Sequence, residues 1–341
     1  KITDPDFKAS GKPEHVVFVD SFFLVTTDSK KFIRSDANNG LSWNALLFGS
    51  AEADPDPIKG AIVYNNQVYI AGSETIEVFS NTGGSGFNFS RTGFFLDAGV
   101  SSPYAMIKAS GSIMWIGAGE NESPAIWKLT GNQKVKASNT AIDSVLSRMS
   151  QAEIQAAYAW SYSDSGAFFT GFSFNSRTFV FDSINDKWHE RKSHISGRNG
   201  AWRVNSIASA YDTFLVADKI DGRIGEMSRD TFDEYGEEIR RVFTTFPFYN
   251  ESHAFAITEL EAVVDAGTGT ATLDPKITLS ISRDGGHTYI HAGVRGFGNV
   301  GEYGQRSIWR QLGRFARNAG LKLEISGPVK AAILKLEAQI V

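Results

Sequence analysis

The stretch Ser280-Ile-Ser-Arg-Asp-Gly-Gly-His-Thr-Tyr289 carries strand-type residues into a turn built from an Asp, two Gly and a Thr, and closes on an aromatic. It reads as an Asp-box-like β-turn. In such a turn Ser282, Asp284, Gly286, Thr288 and Tyr289 have structural roles: Asp284 accepts hydrogen bonds from the turn's own backbone, Gly285 and Gly286 supply positive φ, and Tyr289 anchors the next strand in the core. A looser copy, Asp36-Ala-Asn-Asn-Gly-Leu-Ser-Trp43, ends a strand near the other terminus. Two copies point to an all-β chain of repeated hairpins.

Working outward, strand-like pairs recur at 15–19 with 22–26, 60–64 with 67–71, and 105–109 with 113–117. Asn65-Asn66 and Ser110-Gly111 are two-residue connections of the kind that tolerate positive φ in a type I′ turn. A further apolar strand follows each pair, at 31–34, 75–79 and 125–129, and the period of roughly 40 to 50 residues suits four-stranded propeller blades. Two more units follow, at 157–161, 167–172, 177–181 and Trp188, then at 204–208, 213–217 and 224–227, for about five blades in all. Between the third and fourth units, Ile142, Val145, Leu146 and Met149 fall at helical spacing. Ser150-Gln-Ala-Glu153 then has the pattern of a capping box. The segment 140–156 therefore reads as a short helical insertion, a packed connection rather than a partner-binding helix.

Past Gly236 the strands lengthen, in Glu238-Ile-Arg-Arg-Val-Phe-Thr-Thr-Phe-Pro-Phe248 and Ala256-Ile-Thr-Glu-Leu-Glu-Ala-Val-Val-Asp265. The loop Asp265-Ala-Gly-Thr-Gly-Thr-Ala-Thr272 interrupts them, and strands follow at 276–282, 289–294, 307–312, 320–325 and 331–340. The fold class is thus all-β, with β-propeller blades over 1–236 and a β-sandwich-like domain over 237–341. The chain opens on Lys1-Ile-Thr-Asp-Pro-Asp6 rather than Met, and reads as the amino-terminally truncated product of a longer chain.

Composition agrees. Of 341 residues 42% are hydrophobic, with 25 Phe, 33 Gly and 9 Pro, as expected of many short strands joined by glycine turns. The length suffices to bury a large core. The net charge of −4 gives no general attraction to nucleic acid or to anionic membranes. The absence of Cys excludes disulfides, thiol catalysis and cysteine-ligated zinc. No apolar run reaches about 18 residues and no signal peptide opens the chain, so a soluble protein without membrane partners is expected. No cofactor is expected either: the Gly-rich segment 295–304 lacks a surrounding βαβ unit, and no phosphate-cradling loop or catalytic Ser-His-Asp order is legible. His287 and His291, four apart on a strand and turn, do not form a metal pair, and Asp218-Lys-Ile-Asp-Gly222 lacks most positions of a calcium loop.

Three stretches carry a family likeness: Asp182-Ser-Ile-Asn-Asp-Lys-Trp-His-Glu-Arg-Lys-Ser193, the Asp284 turn, and Gly301-Glu-Tyr-Gly-Gln-Arg-Ser-Ile-Trp-Arg-Gln-Leu-Gly-Arg-Phe-Ala-Arg317 followed by Ser326-Gly-Pro-Val329. In these the chain resembles the packaged-DNA stabilisation proteins, or tail hub proteins, of short-tailed lambdoid phages. The likeness covers 155–341 closely and the amino-terminal part through its blade rhythm. Two departures are the missing start and Tyr289 in place of the usual Trp.

The resemblance implies a non-enzymatic structural protein of the virion tail, assembled in the bacterial host cytoplasm. Such a hub attaches to the portal-bound adaptor protein, helps close the channel over packaged DNA and offers a site to the tail needle. It further implies a homo-oligomer of six, admits a tailspike contact and calls for no specific DNA binding. The residues expected to meet partners are Trp188, His189, Arg191, Trp202, Tyr303, Arg306, Trp309, Arg310 and Arg314. Each has a plainer reading: the tryptophans as core anchors, and the arginines, with Arg317, as solvated ion pairs. The alternative function is a phage glycoside hydrolase or carbohydrate-binding propeller of the Asp-box type. That needs converging carboxylates, whereas Glu52, Asp54, Asp56, Glu120 and Glu122 read as loop and turn residues at unmatched offsets.

Overall fold

The computed structural model describes residues 1–51, 56–251, 253–268 and 275–341. It forms two compact units: Lys1–Lys192 with Ala201–Ile224, and Ser193–Gly200 with Gly225–Val341.

Up to Met227 the chain is a series of antiparallel meanders. Blade 1 comprises β1 (Pro13–Val19), β2 (Phe22–Thr27), β3 (Lys31–Asp36) and β4 (Asn39–Ser50). Blade 2 comprises β5 (Ile58–Tyr64), β6 (Gln67–Gly72), β7 (Ile76–Asn81) and β8 (Phe89–Leu96). Blade 3 comprises β9 (Met106–Ala109), β10 (Ser112–Gly117), β11 (Ala125–Thr130) and β12 (Gln133–Lys136). Blade 4 comprises β13 (Tyr158–Asp164), β14 (Ala167–Ser173), β15 (Thr178–Asp182) and β16 (Lys187–Ile195), with the short β17 (Arg198–Ala201) after it. Blade 5 has three strands, β18 (Val204–Ala210), β19 (Thr213–Asp218) and β20 (Ile224–Met227). The first strands of successive blades lie side by side, β1 by β5, β5 by β9, β9 by β13 and β13 by β18, so they form the inner row of the unit.

One turn device opens every blade. The two-residue links Asp20-Ser21, Asn65-Asn66, Ser110-Gly111, Ser165-Gly166 and Tyr211-Asp212 all have positive φ at both positions. That is the I′ geometry whose twist matches the flanking strands. The links recur about every 45 residues, and the interval lengthens only before blade 4, where the helices are inserted. Those helices are α2 (Thr140–Leu146) and α3 (Gln151–Gln155), which follow α1 (Pro5–Ala9) in chain order. The Asn139 side chain caps α2 through Ile142 N, and Ser150 caps α3 through Glu153 N. Ile142, Leu146 and Ile154 are buried with Phe172 and Phe174 between blades 3 and 4. Each such apolar side chain contributes roughly 1.5–3 kcal/mol on full burial. The expected capping box is half made, because Glu153 Oε1 accepts from Ser176 N and Oγ instead of from Ser150.

Helix α1 was not expected. Asp4 caps it by accepting from Asp6 N and Phe7 N, Pro5 occupies the first turn, and Phe7 packs 4.8 Å from Trp43. The looser turn at 36–43 closes differently from an Asp box: Ser42 Oγ donates to Asp36 Oδ2 at 2.6 Å, and the buried Trp43 donates from Nε1 to Gly40 O.

The second unit holds a hairpin, β21 (Asp233–Glu234) with β22 (Glu237–Glu238), and two sheets. The larger sheet runs in the order β23 (Arg241–Thr244), β29 (Asn318–Ser326), β26 (Lys276–Ser282), β27 (Ile290–Gly296), with β24 (Phe248–Tyr249) also on β29. The smaller runs β28 (Ser307–Phe315), β25 (Phe255–Val264), β30 (Ile333–Ile340). Alternate residues of both enclose one core, including Leu260, Ile277, Phe297, Trp309, Phe315 and Leu321. The continuous strand expected over 238–248 is instead broken into β22, β23 and β24. Thr245 closes on Leu321 with both its N–H and its hydroxyl, and Pro247, lacking an N–H, cannot extend the ladder. The Gly-rich segment after β27 is a turn in which Asn299 N donates to Glu302 Oε2. Of the loop 265–272, residues 269–272 lie outside the described residues, as do Glu52 and Asp54.

Candidate interaction surfaces

Strand β16 sorts the blade-4 candidates by its pleat. Trp188 faces inward against Phe172 and Phe181, and its Nε1 donates to Ala137 O at 2.8 Å. It is therefore an anchor between blades 3 and 4. His189 and Arg191, two residues apart, share the opposite face. There the Arg191 guanidinium sits over the rings of Trp202 at 4.9 Å, Tyr162 at 5.4 Å, Phe169 at 5.5 Å and Trp160 at 5.6 Å. Its Nη2 also donates to Tyr162 Oη at 2.5 Å. A cation held over several ring faces is attracted by their quadrupoles, and among the described residues no carboxylate forms an ion pair with Arg191.

The cage is assembled from three strands and a link. Trp160 and Tyr162 alternate on β13, Phe169 comes from β14, and Trp202 leads into β18. Trp160 is held by an Nε1 bond to Ser173 Oγ, and it lies where any Cβ on Gly171 would fall, 2.0 Å from its ring. His189 borders the cage, with its ring 6.3 Å edge-on from Phe169. The residue is exposed, yet its ring is desolvated on the cage side. That desolvation, together with the positive charge of Arg191, lowers its pKa to about 4 against the pull of Asp182. Of the residues expected to meet partners, the structure thus brings His189, Arg191 and Trp202 together. Trp160, Tyr162 and Phe169 were missed, although the period-2 aromatic spacing of β13 is a legible signal.

The remaining candidates lie in the second unit. Trp309 is a correction: at 1% exposure, with Nε1 donating to Gly293 O, it is a sandwich-core residue and offers no surface. Arg306 and Arg310 project from the opposite face. Arg306 pairs with Glu261, and Arg310 Nε meets Glu259 Oε2 at 2.9 Å. Arg306 holds the Glu261 carboxyl below its usual range. Arg314 is exposed on the same strand, and Tyr303 is exposed in the turn after β27. Arg306 and Arg310 therefore have carboxylates beside them, as the ion-pair reading of the arginines expects.

The Asp284 turn is built as expected at its acceptor: Asp284 takes bonds from Thr288 N at 2.9 Å, Thr288 Oγ1 at 2.5 Å and Ser282 Oγ at 2.7 Å. These hold its carboxyl far below the ordinary range, the Thr288 hydroxyl contributing most. Gly285 and Gly286 have φ of 78° and 95°. Tyr289 departs from expectation. It is half-buried, precedes β27 and flanks Lys322, rather than entering the core.

A further ionic clamp closes blade 5. Buried Asp218 pairs through Oδ2 with Arg203 Nε at 2.7 Å, and Asp221 receives Arg203 and Arg223, each at 2.6 Å. The segment 218–222 thus satisfies its carboxylates with arginines. Among the other carboxylates weighed for hydrolysis, Asp56 caps the turn at Glu74 and Thr75, and Glu122 pairs with Lys134. Among the described residues no three His, Asp or Glu side chains are grouped to hold a metal ion.

Together these features define a class: a β-propeller followed by a β-sandwich, held by aromatic and ionic locks. The chain belongs to the bacteriophage P22 Gp10 family, residues 1–232 matching its beta-propeller and residues 240–341 its beta-sandwich. A curated relative is the tail hub protein gp10 of Salmonella phage P22, 21% identical over 286 residues, which are 81% of this chain. The chain spans 58% of that relative's length. Among solved structures, it resembles an exo-β-1,3-galactanase from Phanerochaete chrysosporium (10% identity, TM-score 0.34, covering 97% of this chain and 96% of that one). It also resembles BamB from Moraxella catarrhalis (12% identity, TM-score 0.34, covering 92% and 85%). Likenesses at that level carry no functional argument.

Proposed function

We propose that this chain is a structural hub of a short-tailed phage virion. In this reading it joins the portal-bound adaptor, helps close the DNA channel over the packaged genome, and presents a site to the tail needle, working as a ring of identical subunits. Six subunits and a tailspike contact are as the family likeness suggests, with assembly in the host cytoplasm. The observation that carries the reading is family membership through both domains in order, with a tail hub protein as relative. We place the domain boundary near residue 237. His189, Arg191, Trp202, Tyr303, Arg306, Arg310 and Arg314 are the residues proposed to meet partners, with Trp188 supporting the first three from behind.

The reading is non-enzymatic and needs no cofactor. The described carboxylates considered for glycoside hydrolysis are engaged in turns and ion pairs rather than converging across a pocket. Specific DNA binding is not part of the proposal either, because a hub that held phosphates tightly would obstruct ejection.

The test is assembly. DNA-filled capsids that carry portal and adaptor but lack the hub are incubated with the protein and followed by pull-down, negative-stain imaging and nuclease sensitivity. Incorporation with reduced DNA leakage establishes the role. Failure to bind, together with release of sugar from a bacterial polysaccharide, overturns it in favour of the hydrolase.

A further inference from the structure

The sandwich is open along one side. β23 ends the larger sheet and β30 ends the smaller, and among the described residues no strand continues either sheet beyond them. Between them runs an apolar groove of about 520 Å³. Its walls include Leu323 and Ile325 from β29 and Ile333 and Leu336 from the β30 side, all packed on the sandwich core. On its rims Val242, Phe243 and Leu334 stand 55%, 48% and 69% exposed. As an antiparallel edge strand, β23 also turns every second N–H and C=O away from β29, which leaves a row of backbone groups without a ladder partner.

One side chain gives the groove a sign. Arg241 lines it half-buried, and its Nη1 donates to Gly327 O at 3.3 Å. Among the described residues no carboxylate pairs with it, whereas its neighbour Arg240 is paired with Glu324. Burial accordingly lowers the Arg241 pKa with no acidic group offsetting it. Lys335, the other cation of the groove, is paired with Glu337.

We propose that this groove receives an extended segment of a partner polypeptide by strand addition. The segment is apolar at alternate positions and carries one carboxylate that meets Arg241. An extended chain is the shape that satisfies the backbone row of β23, and its inward side chains would cover Val242, Phe243, Leu334 and the exposed parts of Ile333 and Leu336, over a floor of buried Leu323 and Ile325. A second copy docked groove to groove would set Arg241 and Lys335 against their own mates, so the occupant is a different surface. The proposal rests on the sandwich alone and does not require the hub reading.

The experiment titrates the full chain with a fluorescein-labelled octapeptide of alternating Val and Thr bearing one central Asp, and with its Asn twin. Amide exchange over Val242–Thr244 is measured in parallel. The expected result is saturable binding, exchange at β23 slowed about tenfold, and the Asn peptide bound about tenfold more weakly, as suits loss of one buried charge pair. Arg241→Met should remove the preference for Asp over Asn. Val242→Lys, at an exposed position, should weaken both peptides without lowering the melting temperature. Equal affinity for the two peptides, or unchanged exchange at β23, overturns the proposal. So does concentration-dependent protection of β23 without peptide, accompanied by dimers on sedimentation, since a second copy would then be the occupant.

Discussion

Arg191 and Trp202, on either side of a hairpin, meet with the guanidinium 4.9 Å from the indole centroid, and three further rings complete the enclosure. A cation desolvated by rings gains about 2 kcal/mol from them. Arg191→Ala is therefore expected to lower the unfolding free energy by about that amount, and Arg191→Lys to recover part of it, because an ammonium lacks the planar stacking face. Denaturant titration checks this. If Arg191→Ala and Trp202→Ala add without coupling, the cage is not an energetic unit.

His189 should titrate near pH 4 in the folded protein, because desolvation and Arg191 both disfavour its cation. The unfolded imidazole titrates near 6.5, so between those values the unfolded state binds more protons and stability falls as pH falls. Nuclear magnetic resonance titration of the His189 ring gives its pKa directly. In Arg191→Met that pKa should rise, and a titration left unmoved would show that Arg191 does not act on the ring.

Asp218 is buried, and Arg203 is the cation paired with it in the blade-5 clamp. Removing the cation leaves a carboxylate in a poorly solvated site. Arg203→Met is thus expected to cost about 3 kcal/mol, with Asp218→Asn on that background restoring part of the loss. Thermal melts of the single and double variants report it, and equal melting of Arg203→Met and wild type would show the clamp to be idle.

At the sandwich turn, Asp284 is held ionised by Thr288 and Ser282. A carboxyl with a depressed folded pKa contributes stability that is complete above its unfolded value of about 3.9 and is lost as pH falls below it. Asp284→Asn should lower the melting temperature at neutral pH and flatten its decline in acid. An acid limb identical to wild type would mean the turn does not couple folding to this proton.

Much of the fold is local in origin and was legible. Asn65-Asn66 and Ser110-Gly111 announce I′ turns because few other residues tolerate positive φ twice in succession. Ser150 marks a helix start through a side chain that reaches a donor only three residues away. Where such expectations miss, a distant partner intervened: Glu153 turned to Ser176 instead of Ser150, and Thr245 closed on Leu321 and broke a strand. Helix α1 depends on both kinds of contact, an Asp-Pro start within reach of the eye and a Trp43 platform that is not.

By itself the sequence determined an all-β chain, the rhythm of its meanders, the helical insertion and the family it resembles, because each rests on residue spacing along one strand, turn or helix. Only the tertiary structure decided that Trp309 belongs to the core, that Tyr289 remains half-buried, and that Arg191 is surrounded by rings while Arg241 lines a groove with no carboxylate beside it among the described residues. Those outcomes depend on which strands become neighbours and on the packing and desolvation that follow, and neither is written in the spacing of residues along the chain.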